Sequence, residues 1–309
     1  MKKLLLLTIC SFVLHLGCNT TVGHSNANPG KWILRNGVYQ FSSDGLSMSV
    51  DMQHGGRIVS FMVQGREILH TSGEMSGSTF WPSPQQTWDW PPPEQIDSGL
   101  YRLVTITDST LVIESQKDNR TAFIVSKTFR FLSDKKCFNI IYGISNVSSG
   151  AVSVAPWEIT RVPSSGVIFF PKESDFKYVD PKTPELLPTL ESADEAWFSL
   201  SGLHDYKAFR DGSKGWIAYS RGDIVLVKDY RINIPVPSFA PGESEIEVYS
   251  ASTYAEIEQQ GEYRLLQSQE SLTWEVNWYG RTKPAGMSSE AGSEDLFSYV
   301  ANMVLSSEP

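Results

Sequence analysis

Three glutamates stand out among the side chains able to do chemistry: Glu158 in "SVAPWEITRV", and Glu256 and Glu258 in "YAEIEQQG". Each interrupts a run of strand-forming residues. Burying a carboxylate is costly unless it is paired or hydrogen-bonded, so a strand facing a core avoids it. Glu158 directly follows Trp157 and precedes Arg161 by three positions, while Glu256 and Glu258, two apart, share a face if the segment is extended. Two dispositions satisfy these constraints. The carboxylates lie on a solvated face, or they gather at strand ends, where an aromatic, an acid and a base together suit a polyol ligand.

A second grouping is "GSTFWPSPQQTWDWPPP", residues 77–93, with three tryptophans and five prolines. Proline fixes φ and removes a backbone donor, so Pro82, Pro84 and Pro91 to Pro93 predict a stiff loop, outside any helix or central strand. Trp81, Trp88 and Trp90 are too large and apolar to be left in water without a partner. They either plug the end of a core or wall a pocket.

Other catalytic signatures are absent. The chain has no glycine-rich phosphate loop, paired-histidine zinc motif, CxxC or nucleophile elbow. Beyond the leader the histidines, His24, His54, His70 and His204, are scattered. That argues against a histidine-held metal and leaves only an oxygen-ligand site, such as one for calcium, open. No metal site and no cofactor is expected.

The ends of the chain define its compartment. "MKKLLLLTICSFVLHLGC" has Lys2 and Lys3, a short apolar run and a small residue before Cys18, the pattern of a secretory leader spanning residues 1–17. Gly17-Cys18 resembles the processing site of bacterial lipoproteins, although His15 stands where leucine is usual, and makes Cys18 the expected lipidated terminus. Residues 18–30 form a polar tether, and residues 31–309 are expected to be one domain. The expectation is a periplasmic or cell-envelope lipoprotein that meets the membrane only through its anchor. Losing Lys2 and Lys3 takes the formal charge from −9 to −11, which leaves no electrostatic footprint for nucleic acid. Cys10 and Cys18 belong to the leader and its cleavage site, so Cys137 is left alone, without an intramolecular disulfide and in a strand-like run that suits a buried thiol.

Strand signals dominate from Trp32 onward, with period-two alternation broken at short intervals by Gly, Asn, Asp, Ser and Pro. This reads as successive hairpins rather than βαβ units. One helix is clear: "SEDLFSYVANMVL", with Ser293 as cap, acidic residues in its first turn, and Leu296, Phe297, Val300, Met303 and Val304 at helical spacing. Residues 181–197 predict a loop with one helical turn. The fold class is all-β, a large antiparallel sandwich with few short helices and a C-terminal helix packed on the outside of a sheet.

The order of "GGRIVSFMVQGREIL", the Trp/Pro loop, "NIIYGISNVSSGAVSVAPWEITRV" and "YAEIEQQGEYRLLQSQESLTWEVNWYG" resembles the galactose mutarotase superfamily over roughly residues 31–281. Within it the chain resembles a bacterial branch, a domain of unknown function, that shares the GSTFWPSPQ-type loop and the PWE segment. The resemblance implies a β-supersandwich whose concave face receives sugars. In mutarotases a strand of the form NxS…HP delivers a histidine acid to the ring oxygen, and an ExQ strand delivers the glutamate base. Here "SNVSSGAVSVAPWE" matches the first pattern from Asn146, with Trp157 and Glu158 where the histidine is expected. Glu256 takes the base position, and Glu258 replaces the glutamine.

These readings converge on an exported carbohydrate-binding protein. Trp81, Trp88, Trp90 and Trp157 would stack on a mono- or oligosaccharide, and Glu158, Arg161, Glu256 and Glu258 would bond its hydroxyls. The enzymatic alternative is an aldose 1-epimerase-like isomerase with Glu256 as base and Glu158 as acid, which needs a raised Glu158 pKa in a pocket shared with Glu256. Two carboxylates would also fit a glycosidase, whose outcome their separation would set. A third reading is an envelope interaction module in which the aromatic loop docks a protein.

Overall fold

The structure is a computed structural model that describes residues 30–172, 177, 178, 180, 182–201, 205–212, 214–231 and 238–306. The expected leader, Cys18 and the tether up to residue 29 lie outside the described residues, as do His24 and His204. Two antiparallel sheets face each other. One runs Ile33–Arg35, Val38–Ser43, Leu46–Asp51, Arg57–Val63, Ser78–Ser83, Val152–Pro163, Tyr254–Gln260, Ile246–Ser250, Tyr206–Arg210 and Lys177–Tyr178. The other runs Leu190–Glu191, Glu195–Leu200, Gly166–Pro171, Trp216–Arg221, Ile224–Asp229, Ser271–Thr282, Cys137–Asn146, Phe123–Leu132, Thr110–Glu114 and Arg102–Ile106.

The alternation in the sequence becomes the two faces of these sheets. Leu46, Met48 and Val50 point inward from one strand, and Phe123, Val125, Phe129 and Phe131 from another. Edge-on aromatic contacts knit the centre. Phe61 lies 5.4 Å from Trp278 and 6.0 Å from Phe138, ring to ring, a geometry that the ring quadrupoles favour. The second sheet is apolar on both faces around Phe169, Trp197, Trp216 and Val227, where the Glu294–Leu305 helix covers its outer side. Ser293 caps that helix by accepting from the Leu296 amide, and Leu296, Val300 and Val304 are buried. Phe297 packs on Phe169, Trp197 and Trp216. Cys137 is a buried free thiol in the same layer.

Two local expectations need correction. No helical turn forms in the described part of residues 181–197, which instead supply the strands Leu190–Glu191 and the start of Glu195–Leu200. Pro82 lies within a strand, opposite Pro156. The neighbouring Arg57–Val63 strand meets this one only at Ile58 and Ser78, so the edge at Pro82 has no ladder to interrupt.

Between the sheets lies a buried polar network. Glu158, wholly inaccessible, accepts from Tyr142 Oη, from Trp278 Nε1 at 3.2 Å, from Gln259 Nε2 and from Lys228 Nζ at 2.8 Å. Lys228 also donates to Thr160 and lies 4.7 Å from the Trp278 ring centre. Glu158 and Thr160 come from the first sheet, and Lys228, Tyr142 and Trp278 from the second. The pair therefore pins the sheets to one another in one register. Burial pulls the Lys228 pKa down to about 8, with Glu158 opposing that fall.

Removing one partner of such a pair leaves an uncompensated buried charge. Glu158→Gln is expected to lower unfolding stability by about 3–5 kcal/mol, whereas Glu158→Leu with Lys228→Met is expected to recover most of that loss. Urea denaturation of the single and double variants checks both statements; a single variant as stable as the parent would contradict the first.

Candidate functional site

Fixing Glu158 inward fixes its neighbours outward. Trp157, Ile159 and Arg161 emerge on the outer face of the first sheet, and strand pairing continues that face across four neighbours. Trp157 stands opposite Trp81, Ile159 opposite Thr79, and Arg161 opposite Glu256. Glu258 stands opposite Glu247, Glu256 opposite Tyr249, and Tyr249 opposite Lys207. On this face lies an open cavity of about 400 Å³, walled by Trp81, Trp90, Trp157, Tyr249 and Tyr254 around Glu256, Glu258 and Lys207.

The aromatic wall is held by hydrogen bonds as well as by packing. Trp81 meets Trp157 edge-on at 5.3 Å, and its Nε1 donates to Asp97 at 2.7 Å. Asp97 is placed by a close approach: a Cβ on Gly55 would lie 1.8 Å from the Asp97 carbonyl oxygen, and Gly55 has φ +72°. Arg120 holds the proline run by donating to the carbonyls of Trp88, Pro91 and Pro92. The Ser83-Pro84 and Trp90-Pro91 peptides are cis. Trp90, 56% exposed, is the ring presented to solvent.

The polar floor is a set of shared charges. Arg161 Nε donates to Glu256 at 2.9 Å and Nη1 to Thr79 at 3.1 Å, with the guanidinium 5.6 Å from the Trp81 ring centre. Lys207 lies 2.6 Å from Glu247, 3.2 Å from Glu258 and 5.2 Å from the Trp157 ring. Burial raises Glu247 to about 8, opposed by Lys207 and reinforced by a hydrogen bond with Glu243. Burial also raises Glu258, opposed by Lys207 and reinforced by Glu247 and Glu256. Burial alone would lower Lys207, yet Glu247 and Glu258 hold it well above the usual lysine range. Glu247 and Glu258, the two carboxylates beside this one ammonium, are thus both biased toward their protonated forms.

Of the expected site residues, Trp81, Trp90, Trp157, Glu256 and Glu258 meet in this cavity, and Arg161 lies beside it. Two do not. Glu158 is on the opposite face of its strand, sealed between the sheets, because adjacent strand residues point oppositely; it cannot share a pocket with Glu256. Trp88 lines neither cavity beside the loop: it is buried behind Trp81 with its Nε1 on the Pro82 carbonyl at 2.6 Å, so it braces the wall. Sequence reasoning missed Lys207, Glu247, Tyr249 and Tyr254. Alternation in "SEIEVYS" already placed Glu247 and Tyr249 opposite Ile246 and Val248; Lys207 carried no comparable signal. Arg66, Arg161, Lys228 and Arg231 do not converge into an anion site: Arg66 pairs Asp223, Arg231 pairs Asp229, and Lys228 is internal. Among the described residues no three His, Cys, Asp or Glu side chains are grouped to hold a metal ion, and no helix is long and apolar enough to cross a membrane.

Comparison with known proteins identifies the architecture. A family described as a domain of unknown function (DUF4380) matches residues 82–279. None of the curated proteins matches. Solved structures with the same fold include a galactose mutarotase-like protein from Lactobacillus casei, at 10% identity and TM-score 0.61, covering 79% of this chain and all of that one. A putative aldose 1-epimerase from Escherichia coli K12 is 14% identical at TM-score 0.59, covering 79% of this chain and 99% of that one. A galactose mutarotase related enzyme from Lactobacillus acidophilus is 9% identical at TM-score 0.55, over 80% and 98%. The fold is galactose mutarotase-like.

The raised Glu247 makes a pH prediction. Its folded-state pKa near 8 exceeds the ordinary 4.5, so its stabilisation is full below about pH 4.5 and is lost as pH rises through 8. Thermal midpoints are expected to fall across that window, in the sense opposite to a carboxylate whose folded-state pKa is depressed, and Glu247→Gln is expected to flatten the fall. A midpoint that climbs from pH 5 to 8 in the parent and is unaltered in slope by the substitution would contradict this.

Proposed function

The chain belongs to this family of unknown function, DUF4380, and on that premise we propose that it is an exported carbohydrate-binding protein holding a sugar in the outer groove of its first sheet. The observation that carries the reading is the composition of that groove: tryptophan rings at Trp81, Trp90 and Trp157 beside the paired planar groups Arg161 and Glu256. Aromatic faces match the apolar faces of a sugar ring, and charged hydrogen-bonding groups match its hydroxyls. The wall is held rigid by Asp97 and Arg120, so little conformational entropy is lost on binding. Support also comes from the solved relatives, described as galactose mutarotase-like and aldose 1-epimerase proteins. The paired arginines and the net acidity favour neutral over polyanionic glycans.

One observation favours a second reading, an aldose 1-epimerase-like isomerase. Glu258, raised by burial in the same cavity as Glu256, offers a proton donor in the place that Glu158 does not occupy. Glu256 would take the proton from the anomeric hydroxyl and Glu258 would give one to the ring oxygen, help worth about 10²- to 10⁴-fold. The lipoprotein leader, with Cys18 as its acylated terminus, is part of the proposal and would hold the groove at a membrane surface through the tether.

Titration of the purified chain against a neutral glycan array, followed by calorimetry, tests the main reading. Exposed Trp90 changed to Ala is expected to weaken binding by about tenfold, the equivalent of about 1.4 kcal/mol, and Glu256→Gln to weaken binding without abolishing it. A folded protein that binds no glycan would sink the proposal. Saturation-transfer NMR on aldoses separates the two readings: exchange above the uncatalysed rate that Glu256→Gln removes establishes the isomerase. Detergent phase partitioning of cell extracts tests the anchor; Cys18→Ser is expected to move the protein into the aqueous phase.

A further inference from the structure

A second cavity, of about 520 Å³, opens on the far side of the same tryptophans. Met75, Trp81 and Trp90 line both cavities. The Arg161–Glu256 pair joins them, since Arg161 lines the second and Glu256 the first. Each cavity falls within the size range of a small-molecule site, and Trp90 stands exposed at their common border.

The second cavity repeats the chemistry of the first. Trp81 again supplies an aromatic edge, and a second planar ion pair replaces Arg161–Glu256: Arg57 Nη2 lies 3.6 Å from Asp97 Oδ2. Asp97 also accepts from Trp81 Nε1. Arg57 is tethered through Nη1 to the carbonyls of Glu74 and Ser76, while its buried Nε has no acceptor among the described residues. An orphaned buried N–H next to a cavity is a position for a ligand oxygen. Each arginine faces a carboxylate, so neither cavity carries the unbalanced positive charge that a uronate or phosphate would need.

Resting on the carbohydrate reading above, we infer that the groove is built for a neutral oligosaccharide of at least two rings, one against Trp157 and Glu256 and the next beyond Trp90 over the Arg57–Asp97 pair. Binding energy is then spread over two subsites sharing one aromatic wall. Affinity depends on chain length, because the second ring adds its contacts to a ligand already held.

Calorimetric titration of the full chain with gluco-, manno-, xylo- and galacto-oligosaccharides of one to four units tests this. In at least one series affinity is expected to rise tenfold or more between one and three units. Ser98→Trp, at the rim of the second cavity, is expected to return the trisaccharide to within twofold of the monosaccharide and to leave the monosaccharide unchanged. Arg57→Lys, whose ammonium stays near the Glu74 and Ser76 carbonyls but which lacks the orphaned Nε–H, is expected to act in the same direction and guards against a misfolded Ser98→Trp. Equal affinity for one and three units, or trisaccharide binding indifferent to both substitutions, overturns the two-subsite inference and leaves the carbohydrate reading standing. No binding by any series in a folded protein overturns the reading on which it rests.

Discussion

The buried Glu158–Lys228 pair is the constraint on which the rest of this molecule turns. A strand has a side-chain period of two, so a slip by one residue would exchange its faces completely. Glu158 finds four donors only between the sheets, and Lys228 finds a carboxylate only there. The same slip that would bring Glu158 to the outer face would bury Arg161 away from Glu256 and place Trp157 in the core. Net stability is not what a buried ion pair of this kind need contribute; here the four donors to Glu158 are met in this register.

The outer face inherits its character from that choice. Its strands carry alternating large polar and aromatic side chains, Lys207 and Phe209, Glu247 and Tyr249, Glu256 and Glu258, Trp157 and Arg161. Most of these are buried despite facing outward, because the Trp/Pro loop rises over them. Crowded carboxylates in a half-dry groove raise one another's affinity for protons, and Lys207 neutralises only part of the set. The groove is thereby kept close to neutral while still presenting oxygen and nitrogen atoms at fixed positions.

Much of this was legible in the sequence, and the limits have physical causes. Alternation and turn residues gave the all-β sandwich, and the cap and helical spacing at Ser293 gave the C-terminal helix, because both signals are local. The tryptophans were conspicuous for their size, so Trp81, Trp90 and Trp157 were found as a wall. Which face a given glutamate takes is not local. Glu158 and Glu256 look equivalent as carboxylates in apolar strands, and only distant partners, among them Lys228 seventy residues away, decide that Glu158 turns inward. Lys207 was invisible for a related reason: its role exists only once Glu247 and Glu258, contributed by two other strands, are brought beside it.

The relation between fold and chemistry follows from the same geometry. A general acid must reach the substrate and must hold a proton when it arrives. The segment that resembles the histidine-bearing strand of mutarotases presents Trp157 outward, and among the described residues no histidine lines the cavity around Glu256. Burial raises the proton affinity of Glu247 and Glu258, where Lys207 engages both carboxylates. Glu258 can act as an acid only to the extent that a ligand draws Lys207 away from it. Lys207 also sits over the ring of Trp157, so a sugar stacked there competes for the same space. On the proposed carbohydrate reading, ligand stacking and the Glu258 proton would therefore be coupled through one ammonium group, and the strength of that coupling would separate a groove that holds a sugar from one that turns it over.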